Sequence, residues 1–182
     1  SILYKKAASF SLLALDGDFG EQQITLVNPE GFKVGYGVTI LDDNAGGFHT
    51  TVARITGANK NTFSIDKPLM ADCLIQRKAR AATVFPVISG YNIENAQIEN
   101  ITIEGNKESN LHINGCRGAG IFLFRGFGTV IKNCTVRNFN GDGVSFQQSN
   151  DVSVINCICE RNVFLGLHPG SGSQRPLIRG CV

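Results

Sequence analysis

The strongest pattern in this sequence lies between Gly118 and Val182, where three segments place a glycine before a short run of β-forming residues. They are Gly120-Ile-Phe-Leu-Phe124, Gly143-Val-Ser-Phe-Gln147 and Gly166-Leu-His-Pro-Gly170, and their leading glycines follow one another at equal intervals. A fixed period of this size, without helical periodicity, is typical of a repeat architecture built from strands.

A set of cysteines keeps nearly the same period. The segments Ile131-Lys-Asn-Cys134, Val154-Ile-Asn-Cys157 and Ile178-Arg-Gly-Cys181 end in cysteines, and the second interval exceeds the first by a single position. Each unit therefore holds two short β-type runs separated by residues that favour turns. One such unit cannot bury its apolar face alone, so the units are expected to stack as a solenoid. Val182 follows the last cysteine without a polar capping sequence, and we expect the chain to be a fragment of a longer protein.

Over Asn92–Val182 this pattern resembles the right-handed parallel β-helix proteins of the pectin-lyase-like superfamily. The resemblance implies an all-β fold, namely a right-handed parallel β-helix. Each coil of this helix would contain about 23 residues. It further implies a secreted, carbohydrate-active protein that acts on a polysaccharide in an extracellular or periplasmic location. Because one fold hosts many chemistries, the resemblance is specific for architecture and much less so for activity.

Composition excludes several classes of partner. The net charge is only +2 and no charged tail is present, so nucleic acid is not an expected partner. No run of about 18 apolar residues occurs, so no membrane span is expected. The open ends of a solenoid expose unpaired strand edges, through which the protein could associate with itself.

The six cysteines allow two interpretations, a disulfide framework or a buried stack of small apolar side chains. Cys134, Cys157 and Cys181 occupy the same position in the repeat as the aliphatic Ile101, which favours the buried stack. No cysteine or histidine spacing is typical of zinc, so we expect no metal site of that kind.

Three regions are expected along the chain. Residues 1–21 contain the apolar run Ser11–Leu15 and are interpreted as the end of an upstream coil. Residues 22–84 contain short β-type runs with hairpin-length loops, which favours a small antiparallel β module that serves as a lid or flank. Residues 85–182 are expected to form the coils of the parallel β-helix.

Asparagines mark one corner of the predicted coil. Asn133 and Asn156 keep the interval of the glycines, whereas Asn100 and Asn133 are separated by one interval plus ten, so the first coil carries an insertion. We place the inserted residues at 106–115 and expect that segment to bulge outward. Stacked asparagines tolerate left-handed backbone at a tight bend and can bond side chain to side chain, so the predicted role of this column is structural.

The register predicts which side chains face outward. Successive side chains in a strand alternate between faces, and the positions one and three residues after each glycine are apolar, so they belong inside. The intervening side chains are then expected to face outward and to bind substrate: Phe122, Phe124, Ser145 and Gln147, with His168 in the same face. Aromatic faces beside polar tips suit a sugar surface. The alternative is that the phenylalanines are covered by the 106–115 segment or by the module.

Asp142, His168 and Arg175 are the predicted catalytic residues, with Arg179 as a further substrate-binding residue. A histidine beside a carboxylate can act as acid or base near neutral pH. Asp142 and His168 are expected on neighbouring rungs with Cα atoms roughly 10–12 Å apart, close to one sugar but not touching each other. An arginine can bind a uronate carboxylate or, as the resemblance implies for some lyases, serve as the base. The alternatives are a turn aspartate and solvated arginines.

The sequence departs from the superfamily in its acidic residues. The positions that match Asp142 in the neighbouring units are Ala119 and Leu165, so no acidic cluster indicates a calcium-bridged lyase or a multi-aspartate hydrolase. The cofactor is left open: Ca²⁺ is compatible with the family, but no cluster indicates its site. Asp42 and Asp43 are interpreted as turn residues of the module.

Two functions of different classes follow. The first is an enzyme acting on a polysaccharide as a lyase, hydrolase or epimerase, centred on Asp142 and His168. The second is a non-catalytic solenoid that binds carbohydrate or mediates surface adhesion, which the missing carboxylate partners favour. A purely structural repeat fragment is the third alternative.

Overall fold

The computed structural model describes residues 1–182 and divides into two compact units. The solenoid unit comprises Ser1–Ala7 and Pro86–Val182, and the module comprises Ala8–Phe85. The strands are, in chain order, β1 (Ile2–Tyr4), β2 (Phe10–Leu12), β3 (Gln23–Thr25), β4 (Gly37–Leu41), β5 (Thr51–Asn59), β6 (Thr62–Ile65), β7 (Arg80–Ala82), β8 (Ile88–Glu94), β9 (Gln97–Glu99), β10 (Thr102–Glu104), β11 (Ala119–Phe127), β12 (Val130–Lys132), β13 (Thr135–Arg137), β14 (Asp142–Gln147), β15 (Ser153–Ile155), β16 (Ile158–Glu160), β17 (Leu167–Pro169) and β18 (Leu177–Arg179). The only helices are three-residue 3₁₀ turns at Gly47–His49, Ile75–Arg77 and Lys107–Ser109. None of them is long and apolar enough to cross a membrane.

The solenoid unit consists of three parallel sheets that run along its axis. The glycine-led sheet contains β8, β11, β14 and β17; a second sheet contains β9, β12, β15 and β18; and a third contains β1, β10, β13 and β16. Three successive coils contribute one strand to each sheet, the last coil contributes β17 and β18, and every pairing within the three sheets is parallel. The predicted all-β parallel β-helix is confirmed.

The interior columns have the predicted register. Ile121, Val144 and Leu167 are aligned across the glycine-led sheet. In the second sheet the aligned residues are Ile98, Ile131, Val154 and Ile178. Ile121, Val144, Ile131 and Val154 are fully buried, whereas Ile178 on the edge strand is 42% exposed. Burial of these aliphatic columns supplies the apolar core that one coil lacks.

The asparagine corner is also confirmed. Asn100, Asn133 and Asn156 have φ angles of 58°, 52° and 52°, and Gly180 has 65° at the equivalent place in the last coil. Asparagine and glycine are the residues that adopt this left-handed conformation most readily. Asn133 Nδ2 donates to Asn100 Oδ1 at 3.4 Å, so adjacent members of the column bond side chain to side chain.

The cysteine column lies inside the coil. Its three cysteines are free thiols, and so are the three cysteines outside the column. Cys134 and Cys157 are each 1% exposed. Their Sγ atoms lie 3.3 Å and 3.4 Å from the backbone oxygens of Lys132 and Ile155. The column therefore combines apolar packing with weak sulfur hydrogen bonds.

The module is a six-stranded sheet in the order β2-β7-β4-β5-β6-β3, and all of its pairings are antiparallel. The structure begins this module at Ala8, not at residue 22. The apolar run that was interpreted as the end of a coil instead begins in β2, which pairs with β7. Of the residues before the module, only β1 adds a strand to the coil sheets, by pairing with β10.

Asp42 is a turn residue, as predicted: its Oδ1 accepts from the amides of Asn44 and Ala45.

Lys5 links the N-terminal segment to the interior of the solenoid unit. Its Nζ lies 2.7 Å from Asn140 Oδ1 and 4.3 Å from the centroid of the Phe139 ring. Burial lowers the pKa of Lys5 from 10.5 to about 7. Between these two values the unfolded chain holds a proton that the folded chain has released, so the free energy of unfolding rises with pH in that window.

We therefore expect the free energy of unfolding of the wild-type protein to rise between pH of about 7 and 10. Lys5→Met should remove this rise. The measurement is urea unfolding of both proteins across this range, with Lys6→Met, an exposed neighbour, as the control. Equal pH slopes for the wild type and Lys5→Met would contradict the burial of Lys5.

Candidate functional site

The outward face of the glycine-led sheet has the predicted register but is not an open surface. Phe122, Ser145 and His168 are aligned on neighbouring strands. Phe122, Ser145 and Gln147 are only 2%, 0% and 5% exposed, so the expectation that these three side chains face solvent is wrong. The alternative is that the 106–115 segment covers this face. One contact supports it: Ser145 Oγ donates to the backbone oxygen of Gly115 at 2.6 Å.

The aromatic residues form a cluster. The Tyr91 ring lies 5.9 Å from the Phe122 ring and 6.1 Å from the Phe124 ring. Phe124 is half-buried, and the guanidinium of Arg125 lies 5.3 Å from its centroid. Tyr91 comes from β8, a rung of this sheet that the sequence analysis did not identify. The phenylalanines thus pack mainly against protein.

The sequence predicts that Asp142 and His168 lie near one another without contact, whereas the structure shows direct contact. Asp142 Oδ2 lies 2.7 Å from His168 Nδ1, and Asp142 Oδ1 accepts from the amide of Leu165 at 3.0 Å. The contact arises because the residues that lead into β17 run beside the start of β14, where Gly143 donates its amide to Leu165 O. The imidazole and the Leu165 amide therefore converge on one carboxylate.

Burial and hydrogen bonding have opposite effects on this carboxylate. The Asp142 side chain is 0% exposed and the His168 side chain is 20% exposed. Burial raises the pKa of Asp142, while the bonds from His168 and the Leu165 amide, and the charges of His168 and His112, lower it. With the carboxylate as acceptor, Nδ1 of His168 carries the proton, and Nε2 is the nitrogen left to exchange a proton with another molecule.

Residues 106–118, which comprise the inserted residues 106–115 and the link to β11, hold this pair in place. Gly115 lies so close to Asp142 that a Cβ at this position would overlap the carboxylate. The φ of Gly115 is not among the positive values, so proximity rather than backbone conformation requires glycine here. Asn140 fixes the middle of the segment: its Nδ2 donates to Leu111 O, and its backbone oxygen accepts from the Ile113 amide at 2.9 Å.

The structure does not bring the two predicted arginines to the pair. Arg175 Nε and Nη2 donate to the two oxygens of Asp151, each at 2.7 Å, and both side chains are largely exposed. Arg179 is exposed on β18, in the second sheet rather than the glycine-led sheet. The interpretation of Arg175 as a surface residue therefore fits the structure better than the catalytic one.

Two residues that the sequence analysis did not single out lie beside the pair. Phe164 is 53% exposed, and His112 is also exposed. Their ring centroids are 6.2 Å apart at an interplanar angle of 77°. The apolar run Val163-Phe-Leu165 just before Gly166 belongs to no interior column of the repeat, and this was the available signal for Phe164. His112 lies within the predicted insertion of the first coil and gave no comparable signal.

The structure shows no group of three or more His, Cys, Asp or Glu side chains that could hold a metal ion. What the site offers is a buried carboxylate, a partly exposed imidazole and neighbouring exposed rings. This combination can hold a polar molecule and move a proton at one nitrogen.

Residues 58–182 match the model of a protein family that is described as the right-handed β-helix region. No curated protein matches the sequence.

Several solved structures are similar to this chain at low sequence identity. The tailspike of Pseudomonas phage phi297 has 11% identity and a TM-score of 0.43, covering 99% of this chain and 35% of its own. The tailspike of Pseudomonas phage LKA1 has 16% identity and a TM-score of 0.37, covering 100% and 37%. The tailspike of Acinetobacter baumannii bacteriophage AP22, solved with a capsular saccharide, has 10% identity and a TM-score of 0.41, covering 98% and 46%. The present chain thus spans less than half of each.

We expect Gly115→Ala to displace the Asp142 carboxylate and to lower the free energy of unfolding by about 1–3 kcal/mol, as overpacking does in a buried site. Gly46→Ala is the matched control, because Gly46 has a φ of −99° and nothing within 4 Å of an added Cβ. Chemical unfolding of both variants checks this. Equal stability of Gly115→Ala and the wild type would show that the segment does not press on Asp142.

Proposed function

This chain belongs to the right-handed β-helix family, and we propose that it acts on a polysaccharide through acid–base chemistry at His168. The observation that carries the proposal is the 2.7 Å contact between His168 Nδ1 and the Oδ2 of Asp142. The carboxylate is wholly buried, while the imidazole is partly exposed. A buried acid that holds an imidazole at the surface is an arrangement suited to proton transfer.

Each residue of the pair has a separate role in this proposal. Asp142 fixes the ring orientation and keeps the proton on Nδ1, which leaves the lone pair of Nε2 toward the substrate. When Nε2 accepts a proton, the adjacent carboxylate stabilises the imidazolium that forms. Asp142 itself is a positioning residue, because it has no exposed surface with which to touch a substrate.

The geometry favours elimination or epimerisation over hydrolysis. Glycoside hydrolysis ordinarily uses two carboxyl groups that flank the scissile bond. Here the one carboxylate in the pair is buried and occupied by the Leu165 amide and His168. A single imidazole base suits removal of the proton beside the carboxyl group of a uronate ring, which begins both a lyase and an epimerase reaction.

Ser145 does not complete a nucleophilic triad with the pair. Its Cα is aligned with that of His168, but its Oγ is buried and donates to Gly115 O. A serine nucleophile needs its hydroxyl hydrogen-bonded to the imidazole and open to substrate. Acyl transfer is therefore not the proposed reaction.

Non-catalytic carbohydrate binding is the second candidate. It needs only contacts with a sugar, which the partly exposed imidazole of His168 can make by donating or accepting hydrogen bonds without any chemistry. Under either proposal the substrate is a surface or extracellular polymer, so we propose an extracellular or periplasmic location for the protein.

We expect Asp142→Asn to lower turnover of the polysaccharide by about 10²–10⁴-fold, the usual contribution of a general base. The new amide would accept from Leu165 through oxygen and donate to His168 Nδ1 through nitrogen, so Nε2 would carry the proton and lose its basicity. The assay is a screen against a polysaccharide panel, following ultraviolet absorbance of unsaturated products and new reducing ends.

Asp151→Asn is the matched control, because Asp151 is an exposed aspartate of the same unit paired with Arg175. It should keep wild-type turnover. Full activity of Asp142→Asn would refute the acid–base proposal. Unchanged binding by every variant, with no turnover by the wild type, would favour the non-catalytic candidate.

A further inference from the structure

We propose that the module carries a saccharide site of its own, a cleft that binds one uncharged sugar unit of the polysaccharide. This inference rests on the proposed function, because it takes the polysaccharide as the ligand, and it adds a recognition site in the module to the reactive pair of the solenoid unit. The module cleft has a volume of about 210 Å³ and is lined by Asn44, Ala45, His49, Ala71, Asp72 and Arg77.

The module cleft belongs to a sheet that closes on itself. The edge strands β2 and β3 are joined by a bridge between Leu13 and Leu26, next to which Val27 donates its amide to Leu12 O at 2.9 Å. Leu13 and Leu26 are both buried in the apolar core of the module. The cleft therefore lies outside a complete core and is not the unpaired edge of a sheet.

One buried carboxylate fixes the two loops that form the module cleft. Asp42 Oδ1 accepts from the amides of Asn44 and Ala45. Its Oδ2 accepts from the amide of Leu74 at 3.0 Å and lies 3.3 Å from Arg77 Nε. Burial raises the pKa of Asp42, but the three amide bonds and the charge of Arg77 outweigh burial and lower it overall. The carboxylate is therefore ionised at neutral pH and holds both loops in place.

The donors of the module cleft are not used by the protein. Arg77 Nε is buried without a hydrogen-bond partner, since its contact with Asp42 lacks hydrogen-bond geometry. The terminal nitrogens of the guanidinium, the amide group of Asn44 and the ring of His49 make no hydrogen bond within the protein. These groups are thus free to donate to a ligand.

The module cleft also contains one free acceptor and an apolar floor. Asp72 Oδ1 accepts from the amide of Phe19 at 2.8 Å, which leaves Asp72 Oδ2 without a partner in the protein. Ala45 is buried and Ala71 packs against the module core, so the methyl groups of both lie beneath the polar rim. A few convergent polar groups over an apolar surface are typical of small-molecule sites.

The charges of the module cleft favour an uncharged ligand. Asp42 balances the charge of Arg77, and Asp72 adds a negative charge, so a phosphate, sulfate or uronate would meet a carboxylate without a surplus of positive charge. The structure shows no group of three ligating side chains that would hold a metal ion there.

A pyranose unit matches this arrangement. Each sugar hydroxyl both donates and accepts, so Asp72 Oδ2 can accept from one hydroxyl while Arg77 or Asn44 donates to the next. The C–H face of the ring can then pack on the methyl groups of Ala45 and Ala71. At about 210 Å³ the cleft is smaller than the roughly 300–1,000 Å³ of pockets for drug-sized ligands, so it holds one ring.

The test measures binding of the whole chain by affinity electrophoresis in gels that contain neutral, uronate-rich or amino-sugar-rich polysaccharides. Asp72→Asn is the main variant, because it keeps an acceptor for the Phe19 amide and replaces the free carboxylate oxygen with an NH₂ group. Asp66→Asn is the matched control, since Asp66 is an exposed aspartate of the module whose Oδ1 also accepts a backbone amide, that of Arg54.

Two further variants remove the donors. They are Asn44→Ala and His49→Ala, whose exposed side chains make no contact that the fold requires. Asn59→Ala is the control for Asn44→Ala, because Asn59 is an exposed asparagine elsewhere in the module. Thermal melting verifies that every variant is folded.

We expect neutral polymers to retard the wild-type protein, and Asp72→Asn to weaken this binding by about tenfold, the size of a lost hydrogen bond to a charged group. Asn44→Ala and His49→Ala should each weaken it by about threefold. Asp66→Asn and Asn59→Ala should bind as the wild type does.

The outcomes separate this inference from the proposed function. Neutral-polymer binding that is lost in Asp72→Asn and kept in Asp142→Asn supports the module cleft, whether or not the wild type turns a polymer over. Binding that is insensitive to Asp72→Asn and Asn44→Ala, or binding to uronate-rich polymers alone, overturns the cleft, while turnover that depends on Asp142 still supports the acid–base proposal. Absence of both binding and turnover overturns both. Self-association that Asp72→Asn abolishes, seen by light scattering, would identify the cleft as a protein contact and overturn the inference.

Discussion

The register between successive coils is the constraint on which the solenoid depends. Because Gly120, Gly143 and Gly166 are equally spaced along the chain, each coil places the same position of its repeat over that of the preceding coil. A shift of one residue would exchange the two faces of every strand and put Val144 outside and Ser145 inside. The site therefore follows from the same spacing that builds the core, since parallel pairing aligns the outward residues of one strand with those of the next.

The first coil departs from this spacing, and the departure creates the site. Its inserted residues belong to the 106–118 segment, which lies over the outward face and buries Ser145 and the Asp142 carboxylate. Burying a carboxylate costs free energy unless hydrogen bonds and charges compensate. Asp142 receives two donors, the Leu165 amide and the imidazole of His168. A buried carboxylate held beside a partly exposed imidazole occurs at functional sites as well as in structural ion pairs.

The sequence was sufficient for the repeat, the register and the left-handed asparagine corner, because each depends on local periodicity or on the conformational preference of one residue type. It was insufficient for the environment of the outward face. The alternation of Phe122 and Ser145 with interior residues shows which way they point, but not what covers them. Ser145 is covered by Gly115, which lies far from it in the repeat. The lack of a side chain is the only feature that distinguishes Gly115 in the sequence. The contact of Asp142 with His168 was missed for a similar reason: strand geometry gives Cα spacing, whereas rotamers decide whether side-chain tips meet.

The central claim is that the Asp142 carboxylate holds the proton of His168 on Nδ1 and leaves Nε2 as the base. Long-range ¹H–¹⁵N correlation spectra of ¹⁵N-histidine-labelled protein, recorded where His168 is neutral and assigned with His168→Ala, distinguish the two tautomers directly. We expect a neutral imidazole with its proton on Nδ1 in the wild-type protein. A neutral ring with its proton on Nε2 would contradict it, because no hydrogen bond from Nδ1 to Asp142 would then exist.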